Sequence, residues 1–103
     1  MSSSASSLSN DSFYASELQR ALNEQTFGIS SFKITQRSSL DATAGVTLLE
    51  GDQLEIILFA NGYKQVGTDA VYETIDDLLS SLSPSYVVKR HEALVAKLQQ
   101  LAR

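Results

Sequence analysis

Chemistry needs nucleophiles, proton carriers or metal ligands held close together, and this chain of 103 residues is poor in all three. It has no cysteine and one histidine, His91. That removes disulfides, thiol nucleophiles and thiolate metal sites, and leaves no second imidazole for a metal centre or a hydrolytic triad. Asp76 and Asp77 are adjacent carboxylates, but helix neighbours point about 100° apart, so they do not converge on one atom as an acid/base couple must. They fit the first turn of a helix, where its dipole favours negative charge. Gly51-Asp52 and Asn61-Gly62 read as turns, with no phosphate-binding glycine pattern around either. The serines of MSSSASSLSND at the N-terminus could accept phosphate or simply solubilise a tail. His91 falls in the apolar arc of the last helix, the position of a buried or edge histidine. These residues support neither an enzyme nor a cofactor.

The elements that must position such side chains follow from composition and spacing. A chain of this length forms one small domain, burying about two thirds of its unfolded surface. A net charge of −4 with eight basic residues offers no clustered cationic patch for nucleic acid. The longest uninterrupted apolar run, Ile56 to Ala60, is far short of the roughly 20 residues that span a bilayer. No basic, then apolar, secretory leader opens the chain, so the expected address is the cytosol, with passive access to the nucleus.

In chain order, residues 1–11 lack the apolar groups needed to offset ordering entropy and read as a disordered serine-rich tail. A single domain is expected over 12–103. Ser12 to Asn23 reads as a helix with Tyr14, Leu18, Ala21 and Leu22 on one stripe, and Gly28 is a plausible stop after it. Three or four strands follow. Ile29 to Arg37 alternates about Phe32 and Ile34, and Ser38 to Ala44 has loop composition. Val46 to Glu50 and Gln53 to Ala60 flank Gly51-Asp52. Gln53 to Ala60 and Tyr63 to Thr68 flank Asn61-Gly62, a strong signal for a type I′ hairpin with positive φ at both positions. The resulting antiparallel meander puts Leu54, Ile56, Leu58, Ala60 and Tyr63 on one face, expected to carry the helices. Ile57, Phe59 and Val66 fall on the other, beside Glu55 and Lys64. That second face is a candidate interaction surface or a solvated face with scattered apolar groups.

Thr74-Ile75-Asp76-Asp77 resembles a capping-box start, and Ile75, Leu78, Leu79 and Leu82 make a short helix that Ser83-Pro84 ends. Serine suits an N-cap and proline the first helical position, so a last helix begins there and nothing breaks it before Arg103. Pro84, Val87, Val88, His91, Leu94, Val95, Leu98, Leu101 and Ala102 fall within an arc of roughly 140°. Its burial against the fold, a partner, or both is the functional question. The fold class is α+β: an N-terminal helix, an antiparallel meander, and two C-terminal helices packed on one sheet face.

Beyond these patterns, the second half resembles the glycogen synthase kinase-3 interaction protein (GSKIP) domain. Leu54-Glu55-Ile56 through Gly62-Tyr63-Lys64 and Val66-Gly67 is similar to its last hairpin. Glu73-Thr74, Leu78-Leu79, Leu82-Ser83-Pro84, Tyr86, Ala93-Leu94, Leu98, Leu101 and Arg103 are similar, without a gap, to its closing helices. The resemblance is close from Leu54 to Arg103 and compatible before that. It implies a small α+β domain whose C-terminal helix binds glycogen synthase kinase 3, as an amphipathic helix laid in a hydrophobic groove. The family's kinase-contacting leucine corresponds to Leu98, with Leu94, Lys97 and Leu101 beside it. Animal members have Phe and Gly where this chain has Arg90 and His91.

Vertebrate members also anchor protein kinase A regulatory subunits through an N-terminal helix rich in valine and leucine. The corresponding helix here offers Tyr14, Leu18, Ala21 and Leu22, with Glu17 and Arg20 between them, so this anchoring is not expected to transfer. The same domain occurs within the large clustered-mitochondria proteins; its own Met1 and an end just past the last helix make a standalone protein the simpler expectation here. Two functions are therefore open. One is a kinase-binding module working through Leu94, Leu98 and Leu101, with Val87, His91 and Val95 turned to the fold. The other is a scaffold domain with a wholly structural last helix, associating through the Ile57/Phe59 face.

Overall fold

The computed structural model describes residues 2–101, with side chains from Phe13 to Leu101. The tail expected over residues 1–11 lies outside the described side chains. Helix α1 (Ser2–Asn23) leads through a short 3-10 turn, Thr26–Gly28, into four strands. These are β1 (Ile29–Arg37), β2 (Asp41–Leu48), β3 (Gln53–Phe59) and β4 (Gly62–Gln65), followed by helices α2 (Ile75–Leu82) and α3 (Pro84–Leu101). The strands pair antiparallel in the order β1-β2-β3-β4, the α+β meander expected.

One face of the sheet holds the core. Ala42, Ala44, Val46 and Leu48 of β2, and Ile56 and Leu58 of β3, alternate inward with Tyr63 of β4 and are buried beneath Ala15, Leu18, Ala21 and Leu22 of α1. The α1 stripe read from the sequence therefore faces the sheet. Helix α2 sits beside β4 and contributes Ile75, Leu78 and Leu79. Helix α3 packs chiefly against α2 and the 3-10 turn, joining the helical layer by its beginning.

Two local readings are corrected. Residues 41–44 are strand, and the β1–β2 loop is only 38–40, closed by Ser38 Oγ, which accepts from the N–H groups of Leu40 and Asp41 at 3.1 and 3.2 Å. The Asp-Ala-Thr-Ala sequence has loop composition because Ala42 and Ala44 stand where α1 crosses β2, and small residues let helix and sheet approach closely.

The second concerns the β3–β4 turn, which occupies Ala60-Asn61, so that Phe59 pairs with Gly62. Gly62 alone has positive φ there, at 134°, so the turn is not type I′. The glycine serves a close approach. Tyr63 and Tyr72 exchange backbone hydrogen bonds of 2.8 Å each, and a Cβ on Gly62 would run into the Tyr72 carbonyl. The register moves by two residues, so the faces survive: Lys64 is opposed by Ile57 instead of Phe59, and Tyr63 by Leu58 instead of Ala60.

Candidate functional site: the C-terminal helix

Helix α3 is built from a proline corner upward. Ser83 caps it, its Oγ accepting from the Tyr86 N–H at 3.0 Å, with Pro84 at the first helical position. A second acceptor comes from the β2–β3 turn. Glu50 accepts from the Ser85 N–H at 2.8 Å and from the Ser83 hydroxyl at 2.7 Å. The Ser85 amide first, and the Ser83 hydroxyl next, hold the Glu50 carboxyl down at about 2, against an ordinary 4.5. A carboxylate at a helix N-terminus also complements the dipole.

Tyr86 fixes the direction in which α3 leaves. It is the buried residue of the helix, its ring stacked on Phe27 at 5.7 Å between centroids and lying where a Cβ on Gly28 would be. Its hydroxyl donates to Gln25 Oε1 at 2.6 Å. Gln25 Nε2 in turn donates to Asp76 Oδ1 at 3.3 Å, and Asp76 Oδ2 lies 3.6 Å from Arg90 Nε, one turn further along α3. Burial, with Asp76 adding to it, pushes the Tyr86 hydroxyl up to about 12. The fold thus grips α3 from Ser83 to Arg90.

Past that turn the helix stands in solvent. Leu94 is 48% exposed, Leu98 62% and Leu101 76%, and Lys97 beside them is exposed too. The expectation that Val87, His91 and Val95 face the fold is overturned, since all three are exposed. The reason is steric. The inward sheet face is already filled by α1, and Tyr86, roughly 130° round the helix from the centre of the apolar arc, is the side turned to the body. Almost the whole arc is therefore presented outward.

The other candidates have different surroundings. Ile57 and Phe59 are half-buried on the outer sheet face, with Lys64 Nζ 5.8 Å from the centre of the Phe59 ring, while Val66 is exposed just beyond β4. Leu18 and Leu22 are wholly buried against the sheet, and Tyr14 is half-buried at its edge. Sequence reasoning missed Tyr86, Gln25 and Glu50. Tyr86 lies outside the apolar arc, and the other two reach it from distant turns. The Ser83-Pro84 corner was the available signal that something holds this point.

Among the described residues no three His, Asp or Glu gather into a metal-binding group, and no helix is long and apolar enough to cross a membrane. No curated protein matches the chain. The model of the GSKIP domain matches residues 14–101, from α1 to the end of α3. With sheet, clamp and projecting helix all inside that match, the chain belongs to the GSKIP domain family.

Proposed function

We propose that this domain is a non-catalytic module that binds a glycogen synthase kinase 3-type protein kinase by laying α3 in a hydrophobic groove of the kinase. The observation that carries this reading is that Leu94, Leu98 and Leu101 are exposed on a formed helix that the fold holds only at its start. A preformed helix pays less ordering entropy on binding than a disordered segment, and leucines at i, i+4 and i+7 are the usual anchors of a helix in a groove. Under the rival reading, a wholly structural α3, Leu98 would be buried, and it is 62% exposed. The outer sheet face around Ile57 and Phe59 remains a second candidate surface for a scaffold role.

The test is Leu98→Ala, followed by binding to the purified kinase and by thermal melting. We expect binding to fall by at least tenfold with melting unchanged, since a buried interface leucine contributes about 1.5–3 kcal/mol. Wild-type binding by the folded variant would sink the assignment.

A further inference from the structure

The charge pattern of α3 says what its groove must look like. Within Pro84–Leu101 the charged residues are Lys89, Arg90 and Lys97 against Glu92, whereas all but one of the twelve acidic residues lie elsewhere in the chain. The domain is therefore a basic helix projecting from an acidic body. The cations are also placed unevenly. At about 100° per residue, Lys97 and Arg90 fall on the flank next to Leu101 and Leu94, while Gln99 and Glu92 fall on the opposite flank, past Val95 and Val88.

Two of the three cations have partners within their own domain: Lys89 pairs with Glu92 at 3.5 Å, and Arg90 with Asp76 at 3.6 Å. Lys97 has no carboxylate within 4.0 Å among the described residues.

We infer that the groove receiving α3 has one acidic wall, on the side of Leu94 and Leu101, and that Lys97 pairs with a carboxylate there and fixes which way round the helix lies. The inference rests on the kinase-binding reading above. Charge complementarity selects this occupant over a second copy of the chain. Antiparallel pairing through the apolar arc would set the Arg90/Lys97 flanks of two copies against each other, and parallel pairing would set them against the Val88/Val95 side, whose one flanking carboxylate, Glu92, is already paired with Lys89. An acidic-walled partner also turns the asymmetry to use, because it attracts the basic helix and repels the acidic body, so encounters are steered helix first.

The experiment measures binding of the purified kinase to wild type, Lys97→Met, Lys97→Glu and Leu98→Ala at low and high salt, with melting curves and sedimentation for each. Lys97 is exposed, so its variants should fold. We expect Lys97→Glu to weaken binding roughly five- to tenfold at low salt, mostly through the association rate, and Lys97→Met less so. Wild-type binding should weaken with added salt more steeply than that of either variant. If Leu98→Ala loses binding while both Lys97 variants match wild type with the same salt response, the acidic wall is refuted and the kinase reading stands. If the kinase fails to bind wild type, both fall together. A wild-type dimer in sedimentation that Leu98→Ala dissociates would give the arc to a second copy and overturn the inference.

Discussion

Helices α1 and α3 are both amphipathic, and the fold treats them in opposite ways. The stripe of α1 is consumed: Leu18 and Leu22 lie wholly buried on β1 and β2. The stripe of α3 is left outward, and the residue that docks this helix, Tyr86, comes from its other side. The contrast teaches that an apolar arc shows a helix needs a surface without saying whose. For α1 that surface is the sheet of its own chain. For α3 the clamp at Ser83, Glu50 and Tyr86 turns the arc away from the body, and its own chain leaves it exposed.

Substitutions can break or sharpen this contrast. The largest effect is expected from Leu18→Ala, which opens a cavity between α1 and the sheet and should cost about 2–5 kcal/mol in denaturant unfolding. A cost below 1 kcal/mol would mean that α1 is not the core helix. Next comes Gly28→Ala, whose Cβ would occupy space held by the Tyr86 ring. We expect a loss of about 1–3 kcal/mol, with faster amide exchange in the first turn of α3. Exchange unchanged from wild type would show that Tyr86 is not the clamp.

The Glu50 contact gives a pH signature. Its carboxyl is held at about 2 in the folded state, below the ordinary 4.5, so its stabilisation is present above pH 4.5 and is lost as the pH falls toward 2. Glu50→Gln should flatten that part of the acid-stability profile; an identical profile would refute the cap. The smallest effect on the fold is expected from Leu98→Ala, within about 0.5 kcal/mol of wild type, because the side chain is exposed. A loss of 2 kcal/mol or more would return α3 to the structural side and erase the contrast.

Much of the architecture was legible in short-range pattern. Thr74 caps α2, its hydroxyl accepting from the Asp77 N–H at 3.1 Å, as the capping-box sequence indicated. Ser83 caps α3 as the serine-proline corner indicated. The inward set Ile56, Leu58 and Tyr63 follows from alternation, and it outlasts the two-residue shift of register because a strand repeats every two residues. Less visible was the strand at Asp41–Leu48, whose alanines look like loop until α1 is laid over them. The glycine at the hairpin looks like a turn residue in the sequence and serves instead to admit the Tyr72 backbone.

The division of α3 was not legible at all. Its helicity, its start and its apolar arc are set by residue types and by spacings of three and four, so the sequence alone determined them. Which side of that helix meets the body is set by Gln25 and Glu50, 61 and 33 residues from their partners Tyr86 and Ser83. Contacts so far apart leave no periodic trace, because nothing in local spacing records which turn will close on which helix. The tertiary structure decided that α1 lays its apolar face on the sheet and that α3 leaves its own exposed.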